Sequence, residues 1–310
     1  MQRGPVTPKG FRDILPEAAK KRREIINIVA EVLEESGFSP METPTIEFAE
    51  TLKGKYGEEE KLIYEFTDRG DRQLALRYDL TVPLARFVAN NLGLLSKGPF
   101  RRYQVGQVFR GENPQKGRYR EFTQFDFDSI GSSDLEEDAK IIAAALSSIK
   151  KLKMNGSMRI NDRNIFKNYN LSKKAIIELD KIDKEGSIVF VQQLELEGLS
   201  KQKAEDVVKS IMNAEKTENI KSIFSCLKKM GYKEGSNYDF WFDATLARGL
   251  DYYTSTIFEL RTPQYGNLSI GGGGRYDNLI GMFAKRPIPA VGFSFGIDRL
   301  IDAIEDGLIK

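Results

Sequence analysis

Arg110 and Glu112 stand two apart in "VFRGENPQKGRYREF", and Arg118 and Arg120 follow the polar loop after them. Guanidinium groups carry fixed forks of donors that match phosphate oxygens bidentately. Phe122 comes two positions after Arg120 and offers a ring on which a base can stack. Arg299, near the start of the last helical pattern, is a further candidate for a phosphate or adenine contact. A surface salt bridge is the plain alternative for each arginine taken singly. No G-x-x-x-x-G-K-[ST] pattern occurs in the chain, so a phosphate site here is not of the Walker kind.

The strand that carries Phe122 also carries acids. In "YREFTQFDFDSIG" the alternation of side chains puts Phe122, Gln124, Asp126 and Asp128 on one face, and Glu121, Thr123, Phe125 and Phe127 on the other. Six residues at strand spacing cover about 20 Å. The result is a long polar groove with a ring at one end and carboxylates at the other. Two aspartates on one strand face are costly if buried unpaired. They call for water, as on a solvent-facing edge strand, or for a cationic ligand.

A third stretch, "RGLDYYTSTIFEL", sets Arg248, a glycine and Asp251 ahead of Tyr252 and Tyr253. Read as the entry to a strand, it points Tyr252 and Tyr253 to opposite faces, with the core as an alternative place for Tyr252. The run Gly271 to Gly274 is either a close backbone approach to a ligand or a flexible turn.

Composition removes several chemistries. The 310 residues contain one cysteine and no histidine. That excludes an internal disulfide, a cysteine-based zinc site, Ser-His-Asp triads and histidine acid–base catalysis; no metal held by a protein cage is expected. The net charge of +2 gives no global pull on polyanions, so any such contact is a local patch. No segment approaches the roughly 20 apolar residues of a spanning helix, and "MQRGPVTPKG" lacks the apolar core of a signal peptide. The chain is read as cytoplasmic, without a membrane partner.

The elements that must position these residues are legible in outline. "LPEAAKKRREIINIVAEVLEESGF" is an amphipathic helix, with Ile25, Ile28, Val29 and Val32 at helical spacing. "KLIYEFTDRGDRQLALRYDLT" reads as a hairpin turning at Gly70-Asp71, and "TVPLARFVANNLG" as a second helix. "FRRYQVGQVFR" and "YREFTQFDFDSIG" are paired strands. Ser133 and Glu136 have capping-box spacing for the helix that follows, and "MRIND" is a short strand. Lysine- and glutamate-rich helical segments fill 165–236, read as a small helical insertion: a solvated surface, or a lid against a polyanion. Strands resume with "DFWFD", "YYTSTIFELR" and "NLSI"; a glycine run and a helix follow, and "AVGFSFGIDRLIDAI" closes as strand, turn and helix. Strands neighbouring in sequence give an α+β fold, a mostly antiparallel sheet flanked by helices. The expected organisation is 1–164, first part of a catalytic domain; 165–236, the insertion; and 237–310, its second part.

On these residues the chain resembles a known family. "FRGENPQKGRYREF" looks like motif 2 of class II aminoacyl-tRNA synthetases, "AVGFSFGIDRL" like motif 3, and "SGFSPMETPTIE" like the weaker motif 1. "RGLDYYTSTIFE" and "GGGGRYDNLI" resemble the histidine-specific signatures of the histidyl-tRNA synthetases, and "LALRYDLTVPLARFVANN" the archaeal and eukaryotic form. The resemblance implies the class II catalytic fold, ATP with Mg2+, L-histidine and the tRNA(His) acceptor stem as partners, and a homodimer built on motif 1 and the first helix. Carried over residue by residue, it implies that Arg110 holds the ATP α-phosphate, Glu112 reads adenine, and Arg118 and Arg299 hold the outer phosphates, with Phe122 against the base. Asp79, Thr81 and Gln124 fall to the α-ammonium of histidine; Asp128 and Tyr253, with Tyr252 beside them, to its side chain. Arg248 falls to the histidine carboxylate and α-phosphate, and with Arg110 it is the expected catalytic pair. Gln115 and Lys116 in the motif 2 loop face the tRNA acceptor end, or are simply solvated.

The chain ends just after the motif 3 match, where full histidyl-tRNA synthetases continue into an anticodon-binding domain. The synthetase-like regulatory subunit of ATP phosphoribosyltransferase, a histidine-binding protein, is therefore the alternative. A histidine sensor needs Asp79, Gln124, Asp128 and Tyr253 but not Arg110, Glu112, Arg118, Arg248 and Arg299 together. Their joint presence favours the adenylating reading.

Overall fold

A computed structural model describes residues 5–114, 118–247, 252–266 and 268–308. Helix α1 (Pro16–Glu35) begins on a proline whose missing N–H would have no helical partner anyway. It buries Ile25, Val29, Val32 and Leu33 as one stripe. Strands β1 (Ser39–Pro40) and β2 (Ile46–Phe48), helix α2 (Ala49–Leu52), and the hairpin β3 (Glu65–Thr67) and β4 (Gln73–Leu76) follow. The hairpin turn uses Asp71 at φ 56°, a left-handed position that aspartate tolerates. Next come α3 (Thr81–Asn90), β5 (Phe100–Phe109), β6 (Glu121–Ile130), α4 (Leu135–Lys151) and β7 (Ser157–Asp162).

Helix α4 departs from the expected cap. Its N-cap is Asp134, whose carboxylate accepts from the Glu136 N–H, while the Ser132 hydroxyl accepts from the Asp134 N–H. The Asx geometry closes the turn one residue later than a cap at Ser133 would.

Helices α5 (Lys173–Leu179), α6 (Ile182–Glu185), α7 (Ile188–Leu196) and α8 (Lys201–Met212) share a core of Phe166, Ala175, Phe190, Leu194, Ala204 and Ile211. Helix α9 (Glu218–Lys229) packs elsewhere: Ile220, Ile223, Phe224 and Leu227 join the main core, beside α4. The chain closes with β8 (Phe240–Phe242), β9 (Thr256–Arg261), β10 (Ser269–Arg275), α10 (Gly281–Ala284), β11 (Ala290–Gly296) and α11 (Ile297–Leu308).

Eight strands form one sheet in the order β1-β5-β6-β11-β10-β9-β7-β8; β2, β4 and β3 form a second. All pairs in the large sheet are antiparallel except β1 with β5 and β7 with β8. The architecture is thus the α+β one expected from the order of strands. The glycine run lies inside β10, not in a turn. Close packing explains it: a Cβ on Gly273 would sit 2.0 Å from the Gly292 carbonyl oxygen, and one on Gly271 2.7 Å from the Phe293 ring.

The alternation of β6 divides the molecule. Phe125 and Phe127 point into the core, with Phe38, Phe293 and Phe295 around Phe127. Full burial of such rings stabilises by about 1.5–3 kcal/mol each. Phe122, Gln124, Asp126 and Asp128 face the other way and line a cavity.

Candidate active site

The cavity has a volume of about 300 Å³ and runs along β6, β10 and β11. At one end stand Arg110, Glu112, Arg118, Phe122 and Arg299; at the other, Asp79, Thr81, Asp126, Asp128, Tyr252, Tyr253 and Tyr276. Gln124 lies between them on the strand. The sequence-derived ligand groups with described positions therefore come together in one cavity. Arg248, Gln115 and Lys116 lie outside the described residues.

The arginine end is partly open. Arg110 leaves β5 and lies over two rings, 4.2 Å from the Tyr78 centroid and 5.1 Å from that of Phe122. Its Nε donates to the Tyr78 carbonyl at 3.2 Å. Burial opposes its charge, but Tyr78, Glu59, Asp79 and Glu112 outweigh that and raise its pKa. Arg110 is thus a fixed, permanently charged group. Arg118 is 3.7 Å from Glu112, and its side chain is 56% exposed, a loose pair that a ligand anion displaces at little cost. Arg299, in the first turn of α11, donates to the Ser269 carbonyl at 3.4 Å. Arg120 does not join them: its Nε bonds the Glu112 carbonyl and its backbone N–H bonds the Gly10 carbonyl.

The frame behind this end is tightly tied. Asp298 of α11 accepts from Arg12 at 2.5 Å, from Arg22 at 2.9 Å, and from the Thr123 N–H of β6 at 3.0 Å. One carboxylate thus links the N-terminal segment, α1, β6 and α11. Burial works against its charge, yet the two arginines and the backbone donor lower its pKa overall. Arg12 also stacks 3.3 Å over the Tyr119 ring, which lines the cavity.

The acidic end is closed. Asp79 is 4% exposed; it accepts from the Tyr56 hydroxyl and from the Val82 N–H in the first turn of α3, each at 3.0 Å. Burial raises its pKa despite those donors and Arg110. Asp128 accepts from the Tyr276 hydroxyl at 2.5 Å and lies 2.7 Å from Arg102, itself fully buried. The Arg102–Asp128 contact is close without being aligned as a hydrogen bond. Burial again raises the Asp128 pKa, against Arg102 and Tyr276. Asp126, between Gln124 and Asp128, is raised to about 7, by burial first and then by Asp128 and Asp79, against Arg102 and Ser294. Three buried acids with raised pKa values make this end of the cavity take up protons or a cation.

Tyr252 and Tyr253 both line the cavity. They precede β9, which begins at Thr256, so strand alternation does not separate them. Their rings are 4.9 Å apart, and Tyr252 is 6.1 Å from Tyr276. Gly274 leaves room for this cluster: a Cβ there would stand 2.7 Å from the Tyr253 ring. Sequence reasoning named no role for Glu59, Tyr56, Tyr119 or Tyr276. Asp126 had the one available signal, its place on the shared strand face. Among the described residues no group of three or more carboxylates or cysteines could hold a metal ion.

The large antiparallel sheet, the arginine-bearing strand pair and the closing strand-to-helix unit define the class II aminoacyl-tRNA synthetase catalytic fold. A family profile described as histidyl-tRNA synthetase matches residues 10–168 and 161–300. A histidine–tRNA ligase of Aeropyrum pernix is 42% identical, over 96% of this chain and 74% of that protein. The solved histidyl-tRNA synthetase of Nostoc sp. PCC 7120 superimposes with a TM-score of 0.83 at 28% identity, covering all of this chain and 77% of its own. A Bacillus halodurans structure described as an ATP phosphoribosyltransferase regulatory subunit/histidyl-tRNA synthetase gives 0.81 at 25% identity, over 96% of this chain and 83% of that one. The chain belongs to the histidyl-tRNA synthetase family.

Proposed function

We propose that the chain activates L-histidine with ATP to histidyl-adenylate and transfers the histidyl group to tRNA(His). The observation that carries this is the polarity of the cavity: arginines and a stacking ring at one end, buried acids and tyrosines at the other. ATP is an anion with an aromatic base, and histidine brings an ammonium and an imidazole. In the reaction a carboxylate oxygen of histidine forms a bond to the α-phosphorus, the bond to the β-phosphate bridging oxygen breaks, and pyrophosphate leaves. Two anions must be held in line, and fixed guanidinium groups stabilise the charge that builds between them. Arg110, with Phe122 beside it, suits the α-phosphate; Arg118 and Arg299 suit the outer phosphates, and Glu112 the adenine amino group. Mg2+ enters on the phosphates of ATP.

At the other end Asp79, Thr81 and Gln124 take the α-ammonium, and Asp128, Tyr252 and Tyr253 the side chain. By its place in the stretch that resembles the family signature, Arg248 would take the histidine carboxylate. A sensor of histidine has no use for the arginine end, which sets the regulatory-subunit reading aside. The test is ATP–pyrophosphate exchange on the purified chain across the amino acids. Exchange with histidine alone is expected; histidine binding without exchange would return the chain to the regulatory class.

The proposal extends to a homodimer in the cytoplasm, with Gln115 and Lys116 toward the tRNA. Ile46, Phe48 and Phe66 on the three-stranded sheet are 40–52% exposed, an apolar face next to the motif 1 match that a second copy would cover. Light scattering at micromolar concentration should give twice the chain mass; a monomer would contradict it.

A further inference from the structure

The helical insertion meets the catalytic sheet through buried polar contacts, and several of them end on the stretch 243–255, which carries the histidine-signature match. Ala247 is the residue before Arg248 in the chain. It is fully buried and belongs to the core of the insertion, with Ala175, Phe190 and Ala204. Its N–H is shut off from water and donates to a carboxylate oxygen of Asp180 at 3.4 Å. Asp180 is the C-cap of α5. An acid at a helix C-terminus works against the helix dipole, so the stability of α5 does not account for an aspartate there. Asn161, near the end of β7 and fully buried, holds the residues just before Ala247: its amide donates to the Ala244 and Leu246 carbonyls at 3.0 and 2.9 Å.

The far side of the same stretch is held from the neck of the insertion. Arg163, just after β7, donates from its backbone N–H to the Ser255 carbonyl at 3.0 Å and from its guanidinium to the Tyr253 carbonyl at 3.2 Å. Asp162 beside it accepts from the Thr217 hydroxyl at 2.8 Å, which closes the entry of the insertion on its exit. Arg159 of β7 ties the two parts again: it pairs with Asp183 of α6, with Asp243 and with Glu259 of β9. Arg261 reaches the same Asp183 at 3.1 Å. An acid of the insertion and the start of the 243–247 stretch thus share one buried arginine.

We propose that the helical insertion is a positioning frame for histidine activation, in which Asp180 and Arg163 hold the two flanks of the signature stretch through Ala247 and Tyr253. This rests on the reading that the cavity activates histidine. Both are positioning residues, since neither is among the described residues that line the cavity. A stiff frame matters because in-line transfer tolerates little error: a misplacement of about 1 Å can cost roughly 10²-fold in rate. The Asp180 contact bears on rate, through the neighbour of Arg248. The Arg163 contact bears on histidine binding, through Tyr253. Coupling of this kind is reciprocal, so ligands bound in the cavity tighten the insertion in turn.

The test is steady-state ATP–pyrophosphate exchange on the full chain as wild type, Asp180→Ala and Asp180→Asn, with ATP binding and thermal unfolding as controls for folding. Asp180→Ala should lower kcat about tenfold with the KM for ATP unchanged. Asp180→Asn keeps an acceptor oxygen for the Ala247 N–H and should restore most of the rate. A wild-type kcat in Asp180→Ala, or an Asp180→Asn as slow as Asp180→Ala, would overturn the inference. Arg163→Met should raise the KM for histidine about threefold; an unchanged KM would overturn its part in the frame. Should Asp180→Ala fail to fold, amide hydrogen–deuterium exchange on wild type decides. Histidine together with a non-hydrolysable ATP analogue should slow deuterium uptake in 173–185, and unchanged uptake there would overturn the inference. A wild type without histidine-dependent pyrophosphate exchange would instead remove the proposed function.

Discussion

The two ends of the cavity hold charge by opposite means. At the arginine end the charged groups keep some contact with solvent, and Arg118 has only a 3.7 Å partner in Glu112. At the acidic end Asp79, Asp126 and Asp128 are each 4% exposed or less, and burial raises all three pKa values. A partly wet site with long cationic side chains accommodates a phosphate chain with modest demands on geometry. A dry site with short acids is exacting, because any donor that is missing or misplaced leaves a buried acceptor unpaired. The arginine end is thus suited to rate, and the acidic end to choice of substrate.

That contrast can be broken by substitution at each end. The largest effect is expected at Arg110, which lies over Tyr78 and Phe122 and which we propose holds the reacting phosphate. Arg110→Ala should lower the exchange rate by about 10²–10³-fold with histidine affinity little changed. Equal losses in histidine binding would show that the ends are not separable. A smaller effect is expected at Tyr56, whose hydroxyl supports Asp79 from outside the cavity lining. Tyr56→Phe should raise the KM for histidine about tenfold and leave that for ATP unchanged, since Asp79 keeps the Val82 N–H. A change in kcat without a change in KM would place Tyr56 in the arginine end instead.

Much of this arrangement was legible in the sequence, for a physical reason. Strand alternation is strict, so "FTQFDFD" alone put Phe122, Gln124, Asp126 and Asp128 on one face, and the structure has them there. Helix α1 and the Gly70-Asp71 turn follow from local periodicity and turn chemistry. What failed depended on neighbours distant in the chain. The glycine run was open to two readings, close approach to a ligand or a flexible turn, because its packing against β11 and Phe258 is invisible from composition. Tyr252 was set apart from Tyr253 by an alternation that begins only at Thr256. The Asp298 junction, which joins Arg12, Arg22 and Thr123, has no local signature at all.

The polarity of the cavity is tested most directly by a crystal structure of the chain with histidine and a non-hydrolysable ATP analogue. The imidazole is expected between Asp128 and Tyr253, and the phosphates against Arg110, Arg118 and Arg299. A nucleotide base lodged among the aspartates, or histidine bound outside this cavity, would contradict it.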